Sequence, residues 1–181
     1  MRKSLVFLTG FMASGKSTIG PLLAEKIGYD FLDVDELIEN IEGKKIVDIF
    51  QEKGEIYFRN IERKVLIETV LKLSKFVVAL GGGTITFADN LYLVKESGIL
   101  IYLKARPEVL LQRVKYKTDR PLLLGPDGKI PPENMLFQMI LSLLKIREPF
   151  YLQADFVIST DDKDIDETVE EILKKIEGKI A

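Results

Sequence analysis

Gly10-Phe11-Met12-Ala13-Ser14-Gly15-Lys16-Ser17-Thr18 fits the pattern G-x-x-x-x-G-K-[ST], a loop that cradles phosphate. Before it runs Ser4-Leu5-Val6-Phe7-Leu8-Thr9, an apolar run of strand length. After it Ile19, Leu22, Leu23 and Ile27 fall at helical spacing. Strand, glycine loop and helix is the context this motif needs. The glycines let the backbone curl so that several N–H groups face one concavity. The start of the helix adds the positive end of its dipole. Gly10, Ala13, Ser14, Gly15, Lys16, Ser17 and Thr18 are therefore the candidate phosphate-binding residues. Lys16 can reach the outer phosphates, and the Ser17 hydroxyl can ligand Mg²⁺. The alternative is a glycine turn with an incidental lysine.

Composition narrows the chemistry. The 181 residues fit one domain, residues 1–181, with a sizeable core. A net charge of −2 gives no global basic field, so no nucleic-acid partner is expected. There is no cysteine, which excludes disulfides and thiolate metal sites, and no histidine. Any general base must be a carboxylate, a lysine or a tyrosine. Met1-Arg2-Lys3 and the apolar run after it resemble the start of a secretory leader, but the supposed cleavage region would be the phosphate loop itself. The run is read as a buried first strand. No other segment is long enough to span a membrane, so a cytoplasmic protein without a membrane partner is expected.

Further along the chain, Tyr29 to Leu32 reads as a second strand leading into Asp33-Val34-Asp35. Aspartates two apart on an extended segment point the same way. Beside a phosphate loop, one could orient Mg²⁺ and the other accept a proton from an attacking hydroxyl. The plainer alternative makes Asp35 the cap of a helix over Glu36 to Ile41. A short helix is expected over Gly43 to Phe50 and a long one from Gly54 to about Leu73. Arg59 and Glu62, three apart, share a face of the latter and read by themselves as an exposed salt bridge.

Phe76-Val77-Val78-Ala79-Leu80 is a continuous apolar run, as in a strand buried on both faces. It ends in Gly81-Gly82-Gly83, where a ligand could approach backbone N–H groups closely or the chain could simply turn. Many phosphate-loop proteins carry a metal-side aspartate at such a strand end. Here glycine stands there, which leaves Asp33 as the better metal-side carboxylate. Asn90 to Lys95 reads as helix, Ile99 to Leu103 as the fourth strand, and Pro107 to Val114 as a helix with Arg113 near its end. The loop at 115–132 is long and rich in turn residues, the pattern of a lid or of a merely mobile loop. As a lid it would carry Arg120 onto the phosphates. Glu133 to Arg147 reads as a strongly apolar helix stopped before Pro149, where Arg147 could simply satisfy helix-end carbonyls. Asp155 to Ile158 is the fifth strand, and Ile165 to Ile176 a last helix. The alternation predicts an α/β fold with a parallel sheet covered on both faces.

With these residues in place, the chain resembles the shikimate kinase family of the nucleoside-monophosphate-kinase-like P-loop proteins. The resemblance rests on the phosphate loop, on Phe31-x-Asp33-x-Asp35, on Gly43-x-x-Ile46-x-x-Ile49-Phe50 and on Gly54-Glu55-x-x-Phe58-Arg59-x-x-Glu62. It continues through Leu80-Gly81-Gly82-Gly83, Arg120-Pro121-Leu122-Leu123 and Arg147-x-Pro149-x-Tyr151. It implies a three-layer α/β/α fold with five strands in the order 2-3-1-4-5. It implies transfer of the ATP γ-phosphate to the 3-hydroxyl of shikimate, in aromatic amino acid (chorismate) biosynthesis, by an enzyme expected to be monomeric. Carried onto this sequence, it makes Asp35 the candidate base. It puts Arg59 and Arg147 on the shikimate carboxylate, with Glu62 orienting Arg59. It puts Gly81, Gly82 and Gly83 at the substrate, Arg120 in the lid and Arg113 beside the adenine. The shikimate-binding region spans about 33–62.

The sequence departs from the family at three places. Ala13 replaces a common glycine, which an ordinary backbone conformation would tolerate. The lid after Leu124 is somewhat long. The loop from Ser159 to Asp162 lacks a basic, glycine-bearing pattern, so no nucleotide contact is assigned there. The alternatives are another small-molecule P-loop kinase, for gluconate or a nucleotide, and an ATP-dependent binding module that has lost its chemistry.

Overall fold

A computed structural model describes residues 4–117 and 119–181. Met1, Arg2 and Lys3, on which the leader reading turned, and Thr118, inside the expected lid, lie outside the described residues.

Five short strands form one parallel sheet: β1 (Leu5–Thr9), β2 (Asp30–Asp33), β3 (Phe76–Ala79), β4 (Ile99–Lys104) and β5 (Phe156–Ser159). Their spatial order is β2-β3-β1-β4-β5, as expected. β1 is central and wholly buried. Its side chains alternate between two cores, because successive strand residues point to opposite faces. Leu5 and Phe7 join Val78, Leu100 and Tyr102 on one face. Val6 and Leu8 join Val77, Ile101 and Ile158 on the other. Burial on both faces is why these strands read as unbroken apolar runs.

Seven α-helices cover the sheet among the described residues. α1 (Lys16–Ile27) and α7 (Ile165–Ile176) pack on the Val6 face. The other face carries α2 (Val34–Glu42), α3 (Ile46–Glu68), α4 (Asn90–Ser97), α5 (Pro107–Val114) and α6 (Glu133–Tyr151). The order reverses at β1, whose neighbours β3 and β4 lead away on either side. Ligands of open parallel sheets bind at the carboxyl ends of the strands at such a point.

Three helix boundaries differ from the sequence reading. α3 runs without a gap from Ile46 to Glu68, but Gly54 inside it has φ 80° and ψ 171°. The two expected helices meet there at a kink that glycine tolerates. The second ends at Glu68, with a 3₁₀ turn at Val70–Lys72 in place of its last turn. α6 does not stop before Pro149: it continues through it to Tyr151. Proline removes one N–H and crowds the preceding turn, yet Leu152 still donates to the Glu148 carbonyl at 2.9 Å and closes the helix normally. Tyr151, wholly buried, anchors that last turn.

Gly98 joins α4 to β4 against β1. A Cβ there would lie 2.6 Å from the Leu5 carbonyl oxygen and 2.5 Å from the Phe7 ring. Backbone cannot swing aside as a side-chain tip can, so Gly98→Ala should destabilise the fold by about 1–3 kcal/mol. Denaturant unfolding checks this, and an unchanged midpoint would show that the β1–α4 junction relaxes freely.

Candidate active site

The carboxyl ends of β1, β2 and β3 open onto a cavity of about 490 Å³, within the usual range for a small-molecule site. Met12 to Thr18 form its floor, and Asp33, Asp35, Arg113 and Arg120 stand around it. Gly10 does not line it. With φ 144°, Gly10 lies where a Cβ would meet the Leu103 carbonyl oxygen at 2.5 Å. It is needed for the turn and for close packing of the loop on β4. Gly15, at φ 107°, leads directly into α1. Lys16 Nζ donates to the carbonyls of Gly10 and Phe11 at 2.9 and 3.0 Å, which leaves one of its three protons for a ligand.

Ala13 corrects one expectation. Its φ is 62°, in the left-handed region, not an ordinary conformation. A Cβ there costs about 1 kcal/mol, and the loop carries that cost beside the cavity. Arg113 helps to hold the strained peptide: its guanidinium donates to the Ala13 carbonyl at 3.2 Å and to the Thr160 carbonyl at 3.4 Å.

The two aspartates do not sit on one extended segment. Asp33 ends β2 and caps α2, its Oδ1 accepting from the Asp35 N–H at 2.9 Å. Asp35 lies in the first turn of α2, so the reading of Asp35 as the cap is overturned in favour of Asp33. Both still face the cavity. The other oxygen of Asp33 accepts from the Ser17 hydroxyl at 2.7 Å. The hydroxyl and carboxylate expected on the metal side are thus already in contact. Among the described residues no three carboxylates gather into a metal cage.

A second recess adjoins the first and shares Met12, Asp35, Gly82 and Arg120 with it. Its other walls include Phe50, Phe58, Arg59, Glu62, Gly81, Gly83 and Arg147. Here the sequence reading of Arg59 and Glu62 as an exposed pair fails. Glu62 is 0% and Arg59 8% exposed. Glu62 Oε2 accepts from Arg59 at 2.7 Å, and Oε1 accepts from the Thr84 hydroxyl at 2.5 Å. Glu55, in the turn before, also pairs with Arg59 at 3.3 Å. Gly81 and Gly83 make this packing possible. A Cβ at Gly81 would lie 2.5 Å from Glu62 Oε1, and one at Gly83 2.5 Å from the Arg59 guanidinium carbon. Arg147, 5% exposed, stands beside Gly82. Both arginines reach the recess from helices, and Glu62 and Glu55 hold the Arg59 fork in place.

The lid region has structure of its own. Pro121–Leu123 form a 3₁₀ turn with Leu123 buried. Arg120 Nε is buried without a hydrogen-bond partner among the described residues, with Asp119 Oδ1 3.6 Å away. The Arg120 side chain lines both recesses.

Sequence reasoning missed Lys117, Thr160, Lys163, Asp164, Ile165 and Thr168, which close the far side of the larger cavity. They come from the turn after α5, from the loop after β5 and from the start of α7, where Asp164 and Glu167 form a capping box. The position of this loop at the carboxyl end of β5 was the available signal.

Electrostatics set the two central groups apart. Burial, together with Glu62 and Asp33, pushes the Asp35 carboxyl up to about 6. Burial lowers the Lys16 ammonium to about 8, despite Asp35 nearby. Both are tuned toward neutral pH, as groups that exchange protons or meet charged ligands are.

This sheet, phosphate loop and adjoining acceptor recess define a P-loop kinase. The sequence profile of the family described as Shikimate kinase matches residues 12–177. A shikimate kinase of Chlorobaculum tepidum is 50% identical over 177 residues, covering 98% of this chain and 92% of that protein. Among solved structures, shikimate kinase from Acinetobacter baumannii in complex with shikimate is 35% identical with a TM-score of 0.85, covering 96% of this chain and 93% of that one. Shikimate kinase from Bacteroides thetaiotaomicron is 33% identical with a TM-score of 0.86, covering 96% and 98%. The chain belongs to the shikimate kinase family, and ATP is its co-substrate.

The Asp35 shift has a consequence for stability. Its folded value of about 6 lies above the ordinary 3.8. The folded state therefore holds the proton more tightly, and the stability this group confers falls as pH rises from about 4 to about 6. At pH 7.5 Asp35→Asn should be more stable than the parent by about 1–3 kcal/mol, with the gain fading by pH 4. Thermal unfolding at both pH values checks this, and a gain equal at both would remove the ionisation as its cause.

Proposed function

We propose that this chain transfers the γ-phosphoryl group of ATP to the 3-hydroxyl of shikimate, giving shikimate 3-phosphate and ADP for aromatic amino acid biosynthesis. One observation carries the reading: a phosphate-cradling cavity and a recess walled by Arg59, Arg147 and Gly81 to Gly83 share Asp35 and Arg120. A small carboxylate with ring hydroxyls matches that recess. Guanidinium forks suit its two carboxylate oxygens, and a carboxylate and backbone N–H groups suit its hydroxyls.

The roles follow from position. The loop N–H groups, with Ser17 and Thr18 at the start of α1, bind the phosphates. Arg113 and the loop after β5 stand on the nucleotide side. Ser17, with Asp33 behind it, would hold Mg²⁺, which neutralises phosphate charge and orients the transferring group. Asp35 faces both recesses and takes the proton of the attacking hydroxyl as the new O–P bond forms and the bond to the ADP oxygen breaks. Lys16 and Arg120 stabilise the charge on the transferring oxygens. Glu62 orients Arg59. The lid spans about 115–132 and carries Arg120 over the phosphates. The working form is a cytoplasmic monomer in which residues 1–181 act as one domain.

A nucleotide acceptor would want a base-binding pocket, whereas two buried arginines with a glycine strand end suit a compact carboxylate better. Gluconate, also a hydroxylated carboxylate, is separated from shikimate by the acceptor panel. A binding module that had lost its chemistry would lack the lysine, the carboxylate or the lid arginine, and all three are present.

ADP release from ATP and Mg²⁺, with shikimate, gluconate and nucleoside monophosphates in parallel, tests the reading. Release is expected with shikimate alone, and release with another acceptor would refute the recess assignments. Asp35→Asn should lose at least about 100-fold in kcat while keeping ATP affinity, the scale of general-base catalysis; parent-like turnover would remove Asp35 from the mechanism. Arg59→Lys should raise the shikimate KM by about tenfold or more, because one ammonium cannot replace a fork.

A further inference from the structure

The motif Arg147-x-Pro149-x-Tyr151 has so far supplied only its arginine. Because α6 runs through Pro149, Tyr151 lies one turn beyond Arg147 on the same helical face. Its ring is wholly buried and packs on Tyr102 with centroids 5.0 Å apart. Its hydroxyl donates a hydrogen bond to the Gly82 carbonyl, and the Arg147 guanidinium, one turn back, acts on it electrostatically. One phenol is thus tied to a glycine of the acceptor recess and lies near one of its arginines. Burial pushes that hydroxyl up to about 12, so it remains a donor throughout the neutral range.

Peptide planarity makes this bond a positional constraint. The Gly82–Gly83 peptide is trans, so the Gly82 C=O and the Gly83 N–H point in opposite directions. A peptide between two glycines meets almost no steric barrier to turning over. Something else must choose its orientation. Among the described residues, the N–H groups of Gly82 and Gly83 have no acceptor in the protein. Both glycines line the recess, Gly82 against Arg147 and Gly83 against Arg59. The Tyr151 hydroxyl is the donor found on the carbonyl side.

We propose that Tyr151 is a positioning residue for the acceptor: by holding the Gly82 carbonyl it fixes the Gly82–Gly83 peptide, so that the Gly83 N–H is presented to an oxygen of the bound substrate. This rests on the acceptor assignment of the recess made above. Without the hydroxyl, the peptide samples both orientations and the acceptor meets a carbonyl for part of the time. Tyr151 does not itself line the larger cavity, though Gly82 does, so the loss falls mainly on the acceptor side.

Tyr151→Phe keeps the ring and removes the hydroxyl. Steady-state KM values for shikimate and for ATP are measured for the parent, Tyr151→Phe, Tyr102→Phe and Arg147→Lys. The expected result for Tyr151→Phe is a rise of about fivefold to thirtyfold in the shikimate KM, the scale of one lost buried hydrogen bond, with the ATP KM within about twofold. Tyr102→Phe, which alters the packed neighbour but leaves the Tyr151 hydroxyl, should match the parent in both. An unchanged shikimate KM, a parallel rise in both constants, or the same rise in Tyr102→Phe overturns the proposal. Arg147→Lys separates the levels. No change there refutes the recess assignment, whereas a rise there with Tyr151→Phe unchanged refutes only the role of Tyr151. Should Tyr151→Phe fail to fold, the ¹⁵N resonance of Gly83 in the parent decides. A shift on adding shikimate alone supports the proposal, and an unmoved resonance overturns it.

Discussion

A carboxylate sealed from water must find every partner inside the protein, and Glu62 is such a group. One oxygen takes the Arg59 guanidinium and the other the Thr84 hydroxyl. That constraint orders much of the site. It fixes the rotation of α3, since Arg59 and Glu62 must both face inward. It requires glycine at positions 81 and 83, since a Cβ at either would strike the pair. It ties α3 to the turn after β3 through Thr84, whose carbonyl in turn accepts from Asn90 at the start of α4 at 2.8 Å. Arg63 then reaches Asn90 and Asp89 from the next turn of α3. Removing one member of a buried ion pair commonly costs about 3–5 kcal/mol, because the other is left charged and unpaired. The arginine that faces the acceptor recess is thus held by the same bonds that join three elements of the fold.

Much of this architecture was legible in the sequence, for physical reasons. Strands buried on both faces must be continuously apolar, so β1, β3 and β4 announced themselves. The phosphate loop was legible because its glycines answer to backbone geometry. Gly10 and Gly15 both adopt positive φ. Boundaries were less legible where tertiary contacts override local preference. Pro149 sits inside α6 because the buried ring of Tyr151 holds the turn after it. Ala13 adopts a left-handed conformation that its residue type disfavours, held in part by Arg113 from 100 positions away.

The site divides along the same line. Loop residues and strand ends could be named from pattern, because a motif encodes them locally. The burial of Arg59 and Glu62 could not, because it depends on missing side chains some twenty residues further on. The role of Gly81 to Gly83 was read in part. Their bareness exposes backbone N–H groups, as expected, but it also admits the carboxylate and guanidinium behind them. The contribution of Thr160 and Lys163 was not legible from local pattern, since it follows from where β5 ends relative to β1, a matter of strand order. Family resemblance supplied that order, and hydrophobic pattern alone did not.

The overlap between the two recesses shapes how such a protein can change. Met12, Asp35, Gly82 and Arg120 belong to both walls. Under the proposed function, a substitution at any of them alters the handling of donor and acceptor together, so drift at those positions has few neutral routes. Ile46, Phe50, Phe58 and Leu122 line only the acceptor side, while Lys117, Lys163 and Thr168 line only the nucleotide side. Selectivity for either partner is therefore adjustable from its own periphery, and an engineer would recruit a new acceptor from the hydrophobic edge around Phe50 and Phe58 while leaving the shared centre alone.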